Sequence, residues 1–101
     1  MYGIHLEYGE ISNCILTNAH LPHAFLSFAN LSKTNLDHSF LDNGILESTN
    51  FTEASLIDCT LTGSLCKRTQ FIRANLTNVY FDNCILEDTL FTDAIMKDVH
   101  W

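Results

Sequence analysis

His20 and His23 have the H-x-x-H spacing of a two-imidazole metal site, which works only when both rings face the same way. Four cysteines, Cys14, Cys59, Cys66 and Cys84, would supply thiolates to zinc or pair as disulfides. Glu87 and Asp88 are neighbouring carboxylates suited to acid–base work, provided that a cleft desolvates one of them. Asn30-Leu31-Ser32, Asn50-Phe51-Thr52 and Asn75-Leu76-Thr77 match the N-glycosylation sequon. There is no Gly-rich phosphate loop, no nucleophile elbow and no acidic metal-binding loop. Whether any of these groups converge depends on the elements that carry them.

The chain has 101 residues, 47% of them hydrophobic and 17% charged, so it holds enough apolar residues for one core and too few charges for disorder. A single domain over residues 1–101 is expected. The longest apolar run is three residues, as in Ala24-Phe25-Leu26, so no membrane span is expected. Met1 to Glu10 lacks a basic start followed by an apolar stretch, so the expected location is cytoplasmic. Five Lys and Arg stand against twelve Asp and Glu, a net charge of −7, which argues against direct binding of a phosphate backbone.

Apolar residues recur at every fifth position. Leu6, Ile11, Leu16, Leu21 and Leu26 begin a series that runs through Phe51, Phe71 and Phe91 to Met96 and Trp101 without a break. With an apolar background near one half, twenty consecutive hits arise by chance on the order of once in a million. Two residues before each centre the side chain is small, from Ala19, Ala24 and Ala29 to Ala94 and Val99, with Ile4 as the exception. The residue after each centre is polar except at Pro22, Ile57 and Ile72. A period of five fits neither a helix nor a strand, so the chain must turn every five residues to keep these positions inside.

Segments such as Ala29-Asn30-Leu31-Ser32-Lys33, Ala54-Ser55-Leu56-Ile57-Asp58 and Ala74-Asn75-Leu76-Thr77-Asn78 resemble pentapeptide repeats of the A(D/N)LXX type, over essentially the whole chain. The resemblance implies an all-β fold, a right-handed quadrilateral β-helix in which each pentapeptide makes one side. Four sides make a coil of twenty residues, and this chain would form about five coils.

A twenty-residue coil stacks residues twenty apart at a ladder spacing of about 4.8 Å. Lys33, Glu53, Arg73 and Asp93 then form one column of alternating sign, Glu47, Lys67 and Glu87 another, and Arg68 pairs with Asp88. Such exposed pairs set register more than they stabilise. Phe51, Phe71 and Phe91 stack inside above Ile11 and Leu31, and Phe81 and Trp101 lie on the opposite inner face. His20 and His23 flank the centre Leu21 and lean toward different sides, which reads as surface histidine rather than a metal site. Cys14, Cys59 and Cys84 fall in the small position and Cys66 at a centre, none stacked on another, which reads as inert core thiols. The sequons are the repeat itself reading A-N-L-S, and a convex prism offers Glu87 and Asp88 no cleft. No enzyme, metal or cofactor is expected.

The outer surface therefore carries the expected function. One outward column runs His5, Phe25, Ile45, Leu65 and Ile85, and the adjoining one His20, Phe40, Thr60, Tyr80 and His100. Two neighbouring sides are apolar outside, a candidate protein interface centred on Phe25, Ile45, Leu65, Ile85, Phe40 and Tyr80. The other two sides carry Asn30, Asn50 and Gln70, and Asn35, Ser55 and Asn75, with Ile15, Leu90 and Ile95 as exceptions. No atypical cap is read at either end, so the ends are expected to meet another molecule, to continue into a longer polypeptide, or to be covered by their own terminal residues. The bulky set Ile95, Met96, Val99 and Trp101 marks the C-terminal coil as a candidate self-association surface, and the resemblance to dimeric family members implies a homodimer there.

The first expectation is a non-enzymatic structural or protein-binding module, docking through the apolar stripe or the coil ends. The alternative comes from the resemblance, because some family members mimic a DNA rod and bind type II topoisomerases such as gyrase. Asp37, Asp42, Asp58, Asp82 and Asp98 would form the acidic face of such a DNA-mimicking inhibitor or protector. A duplex with one charge per ~1.7 Å would place ~14 charges along a ~24 Å rod, about double the net charge here, so the mimicry is partial.

Overall fold

A tight turn follows nearly every apolar centre. The computed structural model describes residues 3–101. The carbonyl of a centre accepts the N–H three residues on, as from Leu26 to Ala29 (2.9 Å) and from Phe51 to Ala54 (3.0 Å). The third residue of each turn has positive φ, from Tyr8 (60°) to Asp98 (56°). Left-handed geometry at that position alone is the mark of a type II turn. Between turns, one residue in five makes a parallel bridge to the residue twenty on, in four columns: His5 to Phe25, Glu10 to Asn30, Ile15 to Asn35, His20 to Phe40, and so on to Tyr80 with His100. Among the described residues there is no helix and no strand longer than such a bridge.

Ladder bonds account for this register. The centre N–H donates to the carbonyl nineteen residues on (Leu26 to Ile45, 2.9 Å), and the bridge N–H donates to the carbonyl twenty-one back (Ile45 to Ala24, 2.9 Å). The left-handed residue donates as well, as Lys33 does to the Thr52 carbonyl at 2.9 Å. A left-handed L-residue costs about 1–2 kcal/mol, and Asn, Asp or Gly holds many of these corners. Phe28, Lys33, Glu53 and Arg73 hold others because each makes the same inter-rung bond.

The core is a file of centres, Leu26 to Phe81, closed off from water. Phe71 stacks between Phe51 (5.2 Å between ring centroids) and Phe91 (5.4 Å), and Phe81 stacks on Trp101 at 5.4 Å. The position two residues before each centre turns out to be more than small. Buried hydroxyls there donate to the carbonyl of a centre twenty-three residues back: Thr34 to Ile11 (2.8 Å), Thr49 to Leu26 (2.7 Å), Thr69 to Leu46 (2.6 Å). A hydroxyl in the core is tolerable because its proton has this fixed acceptor.

The charged columns are realised in part. Arg73 meets Glu53 at 3.3 Å, as the register predicts. Glu47, however, pairs with Arg68 at 2.6 Å rather than with Lys67. The longer, forked guanidinium reaches diagonally across the corner, where it replaces the expected lysine contact.

Candidate interaction surface

The chemically capable side chains are put to structural use. The Cys59 thiol donates to the Leu36 carbonyl (2.8 Å) and that of Cys84 to the Leu61 carbonyl (2.7 Å), in the same place as the hydroxyls. Burial pushes Cys59 up to about 11, so it stays a thiol. As expected, no cysteine lies twenty residues from another, and the neighbour that acts on Cys66 is Cys84, eighteen residues on. The hydrogen bond between them, with burial, drives the Cys66 thiol upward and keeps it protonated. All four cysteines are free. His20 stacks obliquely on Phe40, with ring centroids 5.6 Å apart. Among the described residues no group of three His, Cys, Asp or Glu converges as a metal cluster would.

Two polar sides are occupied by their own turns. The Oδ1 atoms of Asn30, Asn50 and Asn75 accept the N–H two residues on, and those of Asn50 and Asn75 also accept the hydroxyls of Thr52 and Thr77, each at 2.6 Å. These are Asx turns, so the sequon asparagines spend their acceptors on the backbone.

On the other two sides Phe40, Leu65, Tyr80 and Ile85 are exposed, and Phe25 and Ile45 are half-buried. Phe25 is covered by His5, whose ring stacks on it at 4.3 Å, and Tyr80 stacks with His100 at 4.0 Å. A further aromatic pair at the corner beside Phe25 widens this surface: Tyr8 and Phe28, parallel at 5.2 Å and both exposed. The twenty-residue register contained that pair, but it lies on turn positions rather than bridge positions. Both residues are left-handed, at φ of 60° and 62°, an unusual setting for an aromatic.

The acidic residues are less free than their sequence suggests. Asp37 Oδ1 accepts the Ser55 hydroxyl (2.6 Å) and the Ile57 N–H (3.0 Å), and Asp42 Oδ1 accepts the Thr62 N–H (3.1 Å). Asp58 accepts from Asn78 at 2.6 Å and faces His38 at 3.4 Å. One oxygen of Asp82 is buried without a partner, and Asp98 is exposed. Asp37, Asp42 and Asp58 therefore keep their negative charge but spend acceptor oxygens on neighbouring rungs.

Residues 39–100 match the family model described as a pentapeptide repeat region, and residues 10–47 match the one described as pentapeptide repeats (8 copies). The chain belongs to the pentapeptide repeat family. No curated protein matches it. Its fold is similar to that of a pentapeptide repeat protein from the Arabidopsis thaliana thylakoid lumen, with a TM-score of 0.80 at 19% identity, over 84% of this chain and 59% of that one. It is also similar to HetL of the cyanobacterium Nostoc, a pentapeptide repeat protein involved in heterocyst differentiation regulation. There the TM-score is 0.70 at 22% identity, over 94% of this chain and 50% of that one. These relatives are right-handed β-helices. This pentapeptide repeat chain spans about three fifths of the length of the first and half of the second.

Proposed function

We propose that this pentapeptide repeat protein is a non-enzymatic protein-binding module of the cytoplasm. In this reading it is a four-sided tube of about five coils that docks through its two adjoining apolar sides. The observation that carries the reading is the exposure of Phe40, Leu65, Tyr80 and Ile85 on neighbouring columns, while the asparagines of the opposite sides are committed to their turns. Ladders that served only to stabilise rungs would not concentrate on two sides, and on the other two the exposed apolar bridge residues are Ile15, Leu90 and Ile95. The C-terminal coil, with Ile95, Met96, Val99 and Trp101, is a second, self-associating surface. Topoisomerase mimicry has less support, because the net charge of −7 is about half that of a DNA duplex of similar length.

The test is a photo-crosslinking side chain placed at Leu65 and, as a control, at Asn50, in living cells. A discrete adduct is expected at position 65 alone, lost when Ile85→Glu is added to the same chain. Equal labelling at both positions, or none at either, refutes the apolar-side reading.

A further inference from the structure

The side that carries Phe25, Ile45, Leu65 and Ile85 is framed by two corners of unlike charge. Parallel bridges put these four residues on successive rungs, with Leu65 and Ile85 exposed and Phe25 and Ile45 half-buried. The corner that follows the side carries Ser27, Glu47, Lys67 and Glu87, one to a rung, and the corner that precedes it carries Pro22, Asp42, Thr62 and Asp82. All eight are at least partly exposed. Because Glu47 turns to Arg68 at 2.6 Å, Lys67 is left without the acid below it, and among the described residues its ammonium makes no ion pair.

Symmetry limits how a second copy could cover this side. A two-fold axis along the tube sets the rods parallel and brings unlike corners together rung on rung, so that Glu47 opposes Asp42 and Glu87 opposes Asp82. A two-fold axis across the tube sets the rods antiparallel and lays each corner on its own equivalent in reversed order. With that axis between the rungs of Ile45 and Leu65, Glu47 faces Lys67 of the second copy, twice by symmetry. In the same register Glu87 faces Ser27, Asp42 faces Thr62 and Asp82 faces Pro22, and no acid opposes an acid. Moving the axis onto the rung of Ile45 sets Glu47 against Glu47, and moving it onto the rung of Leu65 sets Glu47 against Glu87. The register that satisfies the corners is also the one that matches all four apolar residues, Phe25 with Ile85 and Ile45 with Leu65.

We propose that a second copy of this chain covers the side of Phe25, Ile45, Leu65 and Ile85, antiparallel and side by side, with Lys67 of each copy paired to Glu47 of the other. This rests on the reading of the apolar sides as docking surfaces and names the occupant of one of them; the adjoining side, with Phe40 and Tyr80, stays open to a different protein. Facing sheets pack about 10 Å apart, a gap that a glutamate and a lysine bridge from the two edges. A side bounded by extents of 31 and 26 Å buries up to about 1,600 Å² over the two copies, the size of a specific interface. The contact is isologous, so this side takes on one further copy and no more.

Sedimentation velocity on the full chain at ~0.15 M salt, where exposed charges are screened beyond ~8 Å, tests this across concentration. Circular dichroism verifies that each variant folds. The wild type is expected to dimerise, and Leu65→Glu, Lys67→Glu and Glu47→Lys each to weaken the dimer at least about tenfold. An equimolar mixture of the Lys67→Glu and Glu47→Lys chains sets opposite charges at both edge contacts again and is expected to give a heterodimer of wild-type affinity. If the mixture associates no better than either variant alone, the antiparallel register is wrong. A dimer that survives Leu65→Glu and is lost on Trp101→Glu belongs to the C-terminal coil and overturns the side-by-side joint. A wild type that stays monomeric at every concentration overturns it too. The docking reading is then decided separately by the adduct at position 65, whose mass would differ from twice that of the chain.

Discussion

Phe71→Ala should be among the most damaging single substitutions in the chain. The ring is fully buried, stacked on Phe51 below and Phe91 above, and edge-on to Phe81 at 5.7 Å. Removing a buried phenylalanine side chain costs about 3–5 kcal/mol in transfer and cavity terms. A domain of this length is stable by only about 5–15 kcal/mol. In a solenoid the loss falls on both joints that the ring bridges. Phe71→Leu should cost about 1–2 kcal/mol, since the same column accepts Leu31 and only the stacking is lost. Phe91→Ala should cost less than Phe71→Ala, because Phe91 is only partly buried at the open end. Urea unfolding followed by circular dichroism and by Trp101, the single tryptophan, measures all three. The reasoning fails if Phe71→Ala costs under about 1 kcal/mol, or no more than Phe91→Ala.

Gly63 has φ of 74° and lies against the Asn43 amide, so Gly63→Ala should lower stability by about 1–2 kcal/mol in the same assay. An unchanged urea midpoint would contradict this. Burial holds the Cys59 thiol at about 11, above its ordinary value of 9.0, so its neutral form is favoured by folding. Its contribution should be constant below pH 9 and lost as pH rises from about 9 through 11, and a slope of opposite sign would refute it. Cys59→Ser should flatten that decline. Purified protein should leave supercoiling by gyrase unchanged at micromolar concentration. Inhibition that disappears when Asp42 and Asp82 become lysine would instead establish the acidic face as a DNA mimic.

The fold was legible because its signals lie in buried positions, where the environment restricts residue type most. Leu26, Phe51 and Phe71 mark the period of five, and Arg73 over Glu53 marks the period of twenty. Turn conformation was less legible, since Gly3, Gly63 and the asparagines at 13, 18, 43, 78 and 83 shared their position with Phe28, Lys33 and Arg73. Ladder bonds overrode the local preference there. Hydroxyl donation by Thr49 and Thr69 was masked because alanine fills the same position without it. On the surface, the exposed columns could be read directly, but side-chain reach could not: Arg68 bypasses the residue in its own column, and Asp37 and Asp42 turn inward to the backbone.

Because residues five apart share a core position but occupy different sides, insertions and deletions act on this protein in two distinct ways. Loss of twenty residues would shorten the rod and leave every remaining face pointing as before. Loss of residues 51–55 would keep the core matched, yet swing all that follows by a quarter revolution. Leu65 would then ride above Phe40, and Gln70 would interrupt the line that begins at Phe25 and Ile45. Steps of twenty change reach, and steps of five change heading.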